Sequence, residues 1–221
     1  SDVCSSDLVG YISGEFREQA TSYLTADLFE CHDRSQFEIY AFATGVDDGS
    51  VMRRRLEAAF HSFADVSEMS HRQIADLVRG SEIDVLVNLN GYFGIDRTDV
   101  FAMRPSPVQV NYLGYPGTMG AGYMDYIIAD RTIIPENQQR YYSEQVVYLP
   151  DTYQPNDRKR QPSEMEFTRA DLGLPENAVV FCCFNNAHKI TPEMFDIWMR
   201  ILRGTPESVL WLIEPNSSVR G

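Results

Sequence analysis

The chain has 221 residues, enough for one large domain or two small ones, and its 43% apolar content is that of a globular protein with a core. A formal net charge of −13, from 19 Lys and Arg against 32 Asp and Glu, argues against a general nucleic-acid binder, whose phosphate contacts need clustered cations. No run of about eighteen apolar residues is present to span a membrane, and the N-terminal residues do not read as a secretory leader.

In chain order, residues 1–8 (SDVCSSDL) are small, polar and patternless, and are expected to be foreign to the domain or disordered. Val9–Ile12 is predicted as a strand, Thr21–Cys31 as a helix and Phe37–Ala43 as a β-rich strand. A helical stretch around Val51–Phe60, a short strand at Phe63–Val66 and a helix over His71–Val78 follow. Val85–Leu89 is a compact apolar strand ending in the turn Asn90-Gly91. Thr98–Met103 reads as a short helix, and Val108–Leu113, Tyr126–Ala129 and Val146–Leu149 as strands. Strands separated by helices predict an α/β fold with a mainly parallel sheet and helices on both faces.

The stretch 151–166 breaks this rhythm: it is polar, holds Pro155 and Pro162, and is the expected linker between residues 9–150 and 167–221. Beyond it, Asp171–Pro175 reads as a helix end plus turn, Val179–Phe184 as a strand, Pro192–Leu202 as a helix and Val209–Ile213 as a second strand. Two strands and one helix cannot cover both faces of a parallel sheet, so this second unit is expected to be incomplete.

Two stretches have the residue types of a binding site. After Phe184 comes a polar loop, Asn185 to Lys189, and then a helix start with Thr191 as N-cap and Pro192 at the first position. Free N–H groups and the dipole at such a start favour an anion, and Lys189 adds a full charge, while the Asn186 amide suits a sugar hydroxyl or a base edge. The alternative is an ordinary strand-to-helix loop with a solvated lysine. The second stretch, NYLGYPGTMGAGYMDYIIAD, places Gly114, Pro116, Gly117, Thr118, Gly120 and Gly122 among Tyr112, Tyr115, Tyr123 and Tyr126. It suits close approach of backbone to a sugar or nucleotide, or it is simply a connection with tight turns.

The remaining candidates are weaker. Four cysteines without CxxC spacing, two of them adjacent in an apolar run, suggest buried reduced thiols and a cytoplasmic setting. His32, His61 and His71 lack metal-ligand spacing, and the runs Arg53–Arg55 and Arg158–Arg160 read as solvated faces. No GxGxxG opens a helix, which disfavours a nicotinamide-dependent oxidoreductase.

The run IDVLVNLNGYFGIDRTDVFAMRPSPVQVNYLGYPGTMGAGYMDYIIADRTIIP resembles the catalytic region of bacterial O-linked N-acetylglucosamine transferases, glycosyltransferase family 41. FREQATSYL, YSEQVVYLPDTYQPND, FCCFNNAHKITPEMFDIWMRIL and SVLWLI match the same family in the same order, from about Val9 to Ile213. The resemblance implies a GT-B architecture, with residues 9–150 as an N-terminal catalytic lobe and 167–221 as the start of a C-terminal nucleotide-binding lobe. It implies transfer of N-acetylglucosamine from UDP-GlcNAc to Ser or Thr hydroxyls of proteins, with inversion and without metal or cofactor, and tetratricopeptide repeats upstream. Gly114, Pro116, Gly117 and Thr118 would line the cleft near the sugar, and Asn186 and Lys189 would meet the donor, with Lys189 beside the diphosphate.

Four positions depart from the family pattern. Gln19 stands where a His faces the cleft, Glu15 where the family has Asp, Tyr92 where a second His is common, and Asp151 in place of the His of LPH. Glutamine cannot act as a base near neutral pH. Segments that grip the diphosphate and ribose in the family lie beyond Gly221, so the isolated chain is expected to be inactive. The alternative is a non-catalytic relative that binds protein or nucleotide sugar.

Overall fold

The computed structural model describes residues 6–95 and 97–213, in two compact units that divide between Arg160 and Gln161. The first unit holds seven strands: β1 (Asp7–Ser13), β2 (Phe37–Ala43), β3 (Ser62–Asp65), β4 (Val85–Asn88), β5 (Val108–Tyr112), β6 (Tyr126–Ala129) and β7 (Gln145–Tyr148). Four helices lie among them: α1 (Ala20–Glu30), α2 (Val51–Ala59), α3 (His71–Gly80) and α4 (Thr98–Ala102). Every strand pairing is parallel, in the order β3-β2-β1-β4-β5-β6-β7. The chain therefore winds one way from β1 to β3, then restarts on the other side of β1 at β4. That reversal is a topological switch point, where open α/β sheets bind ligands at the carboxyl ends of the strands.

Neighbouring residues on each strand divide between two apolar cores, as period-2 geometry requires. Tyr11, Ala41, Val87 and Val110 pack with Phe29 of α1 and Leu56 of α2. Ile12, Phe42 and Leu86 face the other way, onto Ile74 and Val78 of α3 and Phe101 of α4. Local chemistry sets the helix starts. Ser50 accepts from Arg53 N at the start of α2, and Ser70 with Gln73 forms a reciprocal capping box on α3.

Several expectations are corrected here. β1 begins at Asp7, whose Cα pairs with Phe37, and Leu8 N donates to Asp84 Oδ2 at 2.8 Å, so Asp7 and Leu8 belong to the sheet. Residues 1–5 lie outside the described residues. Arg53 is not solvated; its side chain is 2% exposed. Adjacent helical residues point about 100° apart, so three consecutive arginines cannot share one face. The 3₁₀ turns Glu136–Tyr141 and Ala187–Lys189 carry no periodic signal and were not expected from the sequence. Residues 151–160, within the expected linker, pack on the first unit: Tyr112 Oη donates to Tyr153 O, and Arg55 pairs with Asp157.

The second unit contains the parallel pair β8 (Val179–Cys183) and β9 (Ser208–Leu212) with α5 (Pro192–Gly204). Asp171–Pro175 is a hydrogen-bonded turn with Gly173 at φ +65, not a helix end. Cys182 is exposed and Cys183 half-buried, against the expectation of buried thiols, because β8 has only one strand neighbour among the described residues. Cys4 lies outside them. No described helix is long and apolar enough to cross a membrane.

Candidate functional site

The switch point lies between the carboxyl ends of β1 and β4, and the loops there hold each other by side chain to backbone bonds. Asn88, the last residue of β4, accepts at Oδ1 from the N–H groups of Asn90 and Gly91, both at 3.0 Å. Asn90 in turn accepts from Gly14 N at 2.8 Å, fixing the end of β1. The approach is close: a Cβ on Gly45 would lie 2.2 Å from Gly14 O, and one on Gly114 would lie 2.1 Å from Leu89 O. Gly114 is therefore needed for backbone contact between the loops after β4 and β5.

Just before it, Leu113 takes φ 72, and Gly114 N donates to Tyr112 O at 3.0 Å. This is a tight γ-type turn in a left-handed residue, a strain of about 1–3 kcal/mol that the surrounding bonds must hold. Asn111 contributes by donating from Nδ2 to Tyr115 O at 2.9 Å. A Cβ on Gly117 would meet the Tyr115 ring at 2.7 Å, so that glycine makes room for the aromatic. Tyr115 meets Tyr92 edge to face with ring centroids 5.6 Å apart, and Tyr92 Oη donates to Met119 O at 2.7 Å. Both rings stay partly exposed, 37% and 51%, although they are fixed in place.

Glu144 is 4% exposed and anchors the far end of this loop. It accepts from Met119 N at 2.6 Å and from Thr118 Oγ1 at 2.7 Å. Pro116 is exposed, and its carbonyl accepts from Tyr142 Oη at 3.1 Å. Burial first, then the charge of Glu144, pushes the Tyr142 phenol above its ordinary pKa and keeps it a donor.

Gln19 is the N-cap residue of α1, with extended backbone and no capping bond from its side chain. It belongs to the loop after β1, on the same carboxyl edge of the sheet as Gly114, Pro116, Gly117 and Thr118. Asp48 steadies this loop by accepting from Glu18 N at 2.8 Å, and that bond, with Ser50, draws the Asp48 carboxyl down to about 2. Arg53 donates to Phe16 O at 3.1 Å from beneath.

Asn186 and Lys189 lie in the second unit and are both exposed. They bracket the short 3₁₀ turn, with Lys189 N donating to Asn186 O at 2.9 Å. Thr191 accepts from Met194 N at 3.3 Å and Pro192 opens α5, so the cation and the helix start are adjacent in sequence as predicted. Sequence reasoning missed Asn88, Asn90, Asn111 and Glu144. Only the paired asparagines of the NLNG stretch hinted at loop-holding amides.

The parallel strand order β3-β2-β1-β4-β5-β6 is that of a Rossmann-type open sheet, the class in which ligands bind outside the carboxyl ends of the strands at the switch point. The sequence profile of Glycosyl transferase family 41 matches residues 5–167 and 159–218, and the chain belongs to that family. It is 38% identical over 210 residues to the Arabidopsis thaliana protein named "Probable UDP-N-acetylglucosamine--peptide N-acetylglucosaminyltransferase SEC", covering 93% of this chain and 22% of that one. The Caenorhabditis elegans UDP-N-acetylglucosamine–peptide N-acetylglucosaminyltransferase is 25% identical over 317 residues, covering 93% of this chain and 28% of its own length. The chain thus spans less than a third of the length of these relatives. Among solved structures, a Thermobaculum terrenum O-GlcNAc transferase with one lysine changed to methionine superposes with a TM-score of 0.86 at 32% identity. That match covers 99% of this chain and 42% of the other, and its fold is GT-B.

Proposed function

We propose that this chain is part of an enzyme that moves N-acetylglucosamine from UDP-GlcNAc to Ser or Thr hydroxyls of proteins. Family membership over nearly the whole chain supports this reading, and Lys189 beside the start of α5 is the observation in the structure that carries it. In an inverting transfer the acceptor oxygen attacks the anomeric carbon opposite the diphosphate. The bond from that carbon to the phosphate oxygen breaks, and UDP leaves with its electron pair. Lys189, at the N-terminal end of the α5 dipole, offsets the growing negative charge, usually the largest electrostatic contribution in such a step. Asn186 offers a donor and an acceptor to the nucleoside or sugar. The Gly114–Thr118 loop brings backbone near the sugar. No metal or organic cofactor is required, and the partners are the UDP-sugar and an acceptor protein held by upstream tetratricopeptide repeats, in the cytoplasm.

The test is radiolabelled sugar transfer by the full-length protein, with Lys189→Met expected to lower kcat by about a hundredfold or more. Unchanged kcat in that variant would sink Lys189 as the diphosphate partner. Gln19 favours a second reading, a non-catalytic binder of protein or nucleotide sugar, because an amide at this position accepts no proton. If the wild-type protein binds UDP-GlcNAc without transferring it, and Gln19→His restores nothing, the second reading stands.

A further inference from the structure

We propose that Glu15, not Gln19, takes the proton from the acceptor hydroxyl during transfer; the inference rests on the transferase reading above. Glu15 lies two residues beyond the end of β1, at the switch point, and is 7% exposed. Its backbone is held on every side. Gly14 N donates to Asn90 Oδ1, Glu15 N donates to Ser13 Oγ at 3.0 Å, and the Glu15 carbonyl accepts from Ser22 Oγ and from Arg17 N. One residue on, the Phe16 carbonyl accepts from buried Arg53.

The carboxylate itself accepts no hydrogen bond and forms no ion pair among the described residues. That sets it apart from the other acids along this edge. Glu18 is bonded to Tyr23, Asp48 to Glu18 N and Ser50 N, Asp65 to Ser67 and Arg53, and Glu144 to Thr118 and Met119. The described side-chain atoms that are enclosed without a partner do not include the Glu15 oxygens, so the carboxylate of this mostly buried residue reaches solvent and is free to take a proton from a substrate. Gly94 lies against it. A Cβ there would lie 3.4 Å from Glu15 Oε1 and 3.5 Å from Asn90 Nδ2, and the glycine leaves that space clear. An acceptor hydroxyl at this point would have a proton acceptor in Glu15 and an amide donor in Asn90.

The step balances within the transfer. The acceptor oxygen bonds to the anomeric carbon, UDP leaves with the electron pair of the broken bond, and the hydroxyl proton passes to the Glu15 carboxylate. Gln19, four residues further on, has no site for that proton.

The experiment compares wild type, Glu15→Gln and Glu15→Ala in the full-length protein, at saturating UDP-GlcNAc and acceptor peptide, with UDP-GlcNAc affinity measured separately. Glu15→Gln is expected to lower kcat by about 10²–10⁴-fold while donor affinity changes less than about threefold. Added formate is expected to restore part of the activity of Glu15→Ala, because a small carboxylate fits the space vacated. A loss in Glu15→Gln smaller than about tenfold overturns the assignment and leaves the transferase reading standing. Loss without formate rescue makes Glu15 structural and overturns it too. Wild-type protein that binds UDP-GlcNAc and transfers nothing overturns the transferase reading, and the role of Glu15 with it.

Discussion

Replacing Arg53 with methionine tests how the crevice loops are held. The side chain is 2% exposed, and methionine keeps much of its apolar stem while removing the guanidinium. The magnitude follows from what each partner has left. Glu57 keeps Arg54, at 2.6 and 2.8 Å, and Asp65 keeps Ser67 N at 3.0 Å and its hydroxyl at 2.6 Å. Those carboxylates are partly exposed and are not left stranded. The Phe16 carbonyl does lose a buried donor, worth about 1–3 kcal/mol. The guanidinium also sits 4.5 Å over the Phe63 ring, a contact worth about 0.5–2 kcal/mol. Release of a buried charge offsets part of the sum, so the expected loss is about 2–4 kcal/mol. At about 2–4 °C per kcal/mol for a chain of this size, the first unit should melt about 4–16 °C lower. Both tryptophans, Trp198 and Trp211, lie in the second unit, so their emission tracks that unit while circular dichroism sees both. A melting shift below about 2 °C would refute the claim that Arg53 holds the loop after β1.

Two further outcomes follow from the same region. Gly114→Ala puts a Cβ 2.1 Å from Leu89 O, a backbone atom that cannot swing aside. It should cost more than the about 1–3 kcal/mol of ordinary overpacking, read as a lower urea midpoint at unchanged slope, and a loss under about 0.5 kcal/mol would contradict the close approach. Asp48 tests the other support of the loop. The Glu18 N–H first, and then Ser50, hold its carboxyl at about 2, below the usual value of about 3.9. A depressed folded value means the bond stabilises fully above about pH 4 and is lost as pH falls through about 2. Wild type should therefore lose more stability across that window than Asp48→Asn, by a modest amount because the group is exposed. Equal acid slopes for the two proteins would show that the bond does not form.

Much of the sheet was legible because each strand divides its residues between two apolar cores. Phe37–Ala43 and Tyr126–Ala129 were predicted residue for residue, and α3 began at His71 because Ser70 and Gln73 spell its cap. The loop carrying Gly114, Pro116, Gly117 and Thr118 was legible from its glycines, and the Lys189 loop from the Thr-Pro helix start. Distant bonds left no local trace. Glu144 is 25 residues from Met119 in sequence, and Arg53 is 37 from Phe16. Nothing around either marks it as buried; the RRR run even suggests the reverse, because charge composition is blind to the rotation of a helix that turns one arginine of three inward.

The same limit separates Gln19 from Glu15. A motif comparison draws the eye to Gln19, since that position carries the titratable group in the pattern it resembles. Topology draws it to Glu15. Parallel strands that restart beside β1 put the first loop residues directly opposite Asn90, and Asn90 fixes Gly14 before the helix begins. A side chain two residues after a strand at a switch point is placed largely by sheet geometry, with little freedom to lose on meeting a substrate. A side chain four residues later depends on a loop and on a helix start with no capping bond. Glutamine at the later position offers no proton acceptor, but the sheet still presents a carboxylate at the earlier one. On the proposed assignment, sugar transfer by the full-length protein depends on a group that the fold places.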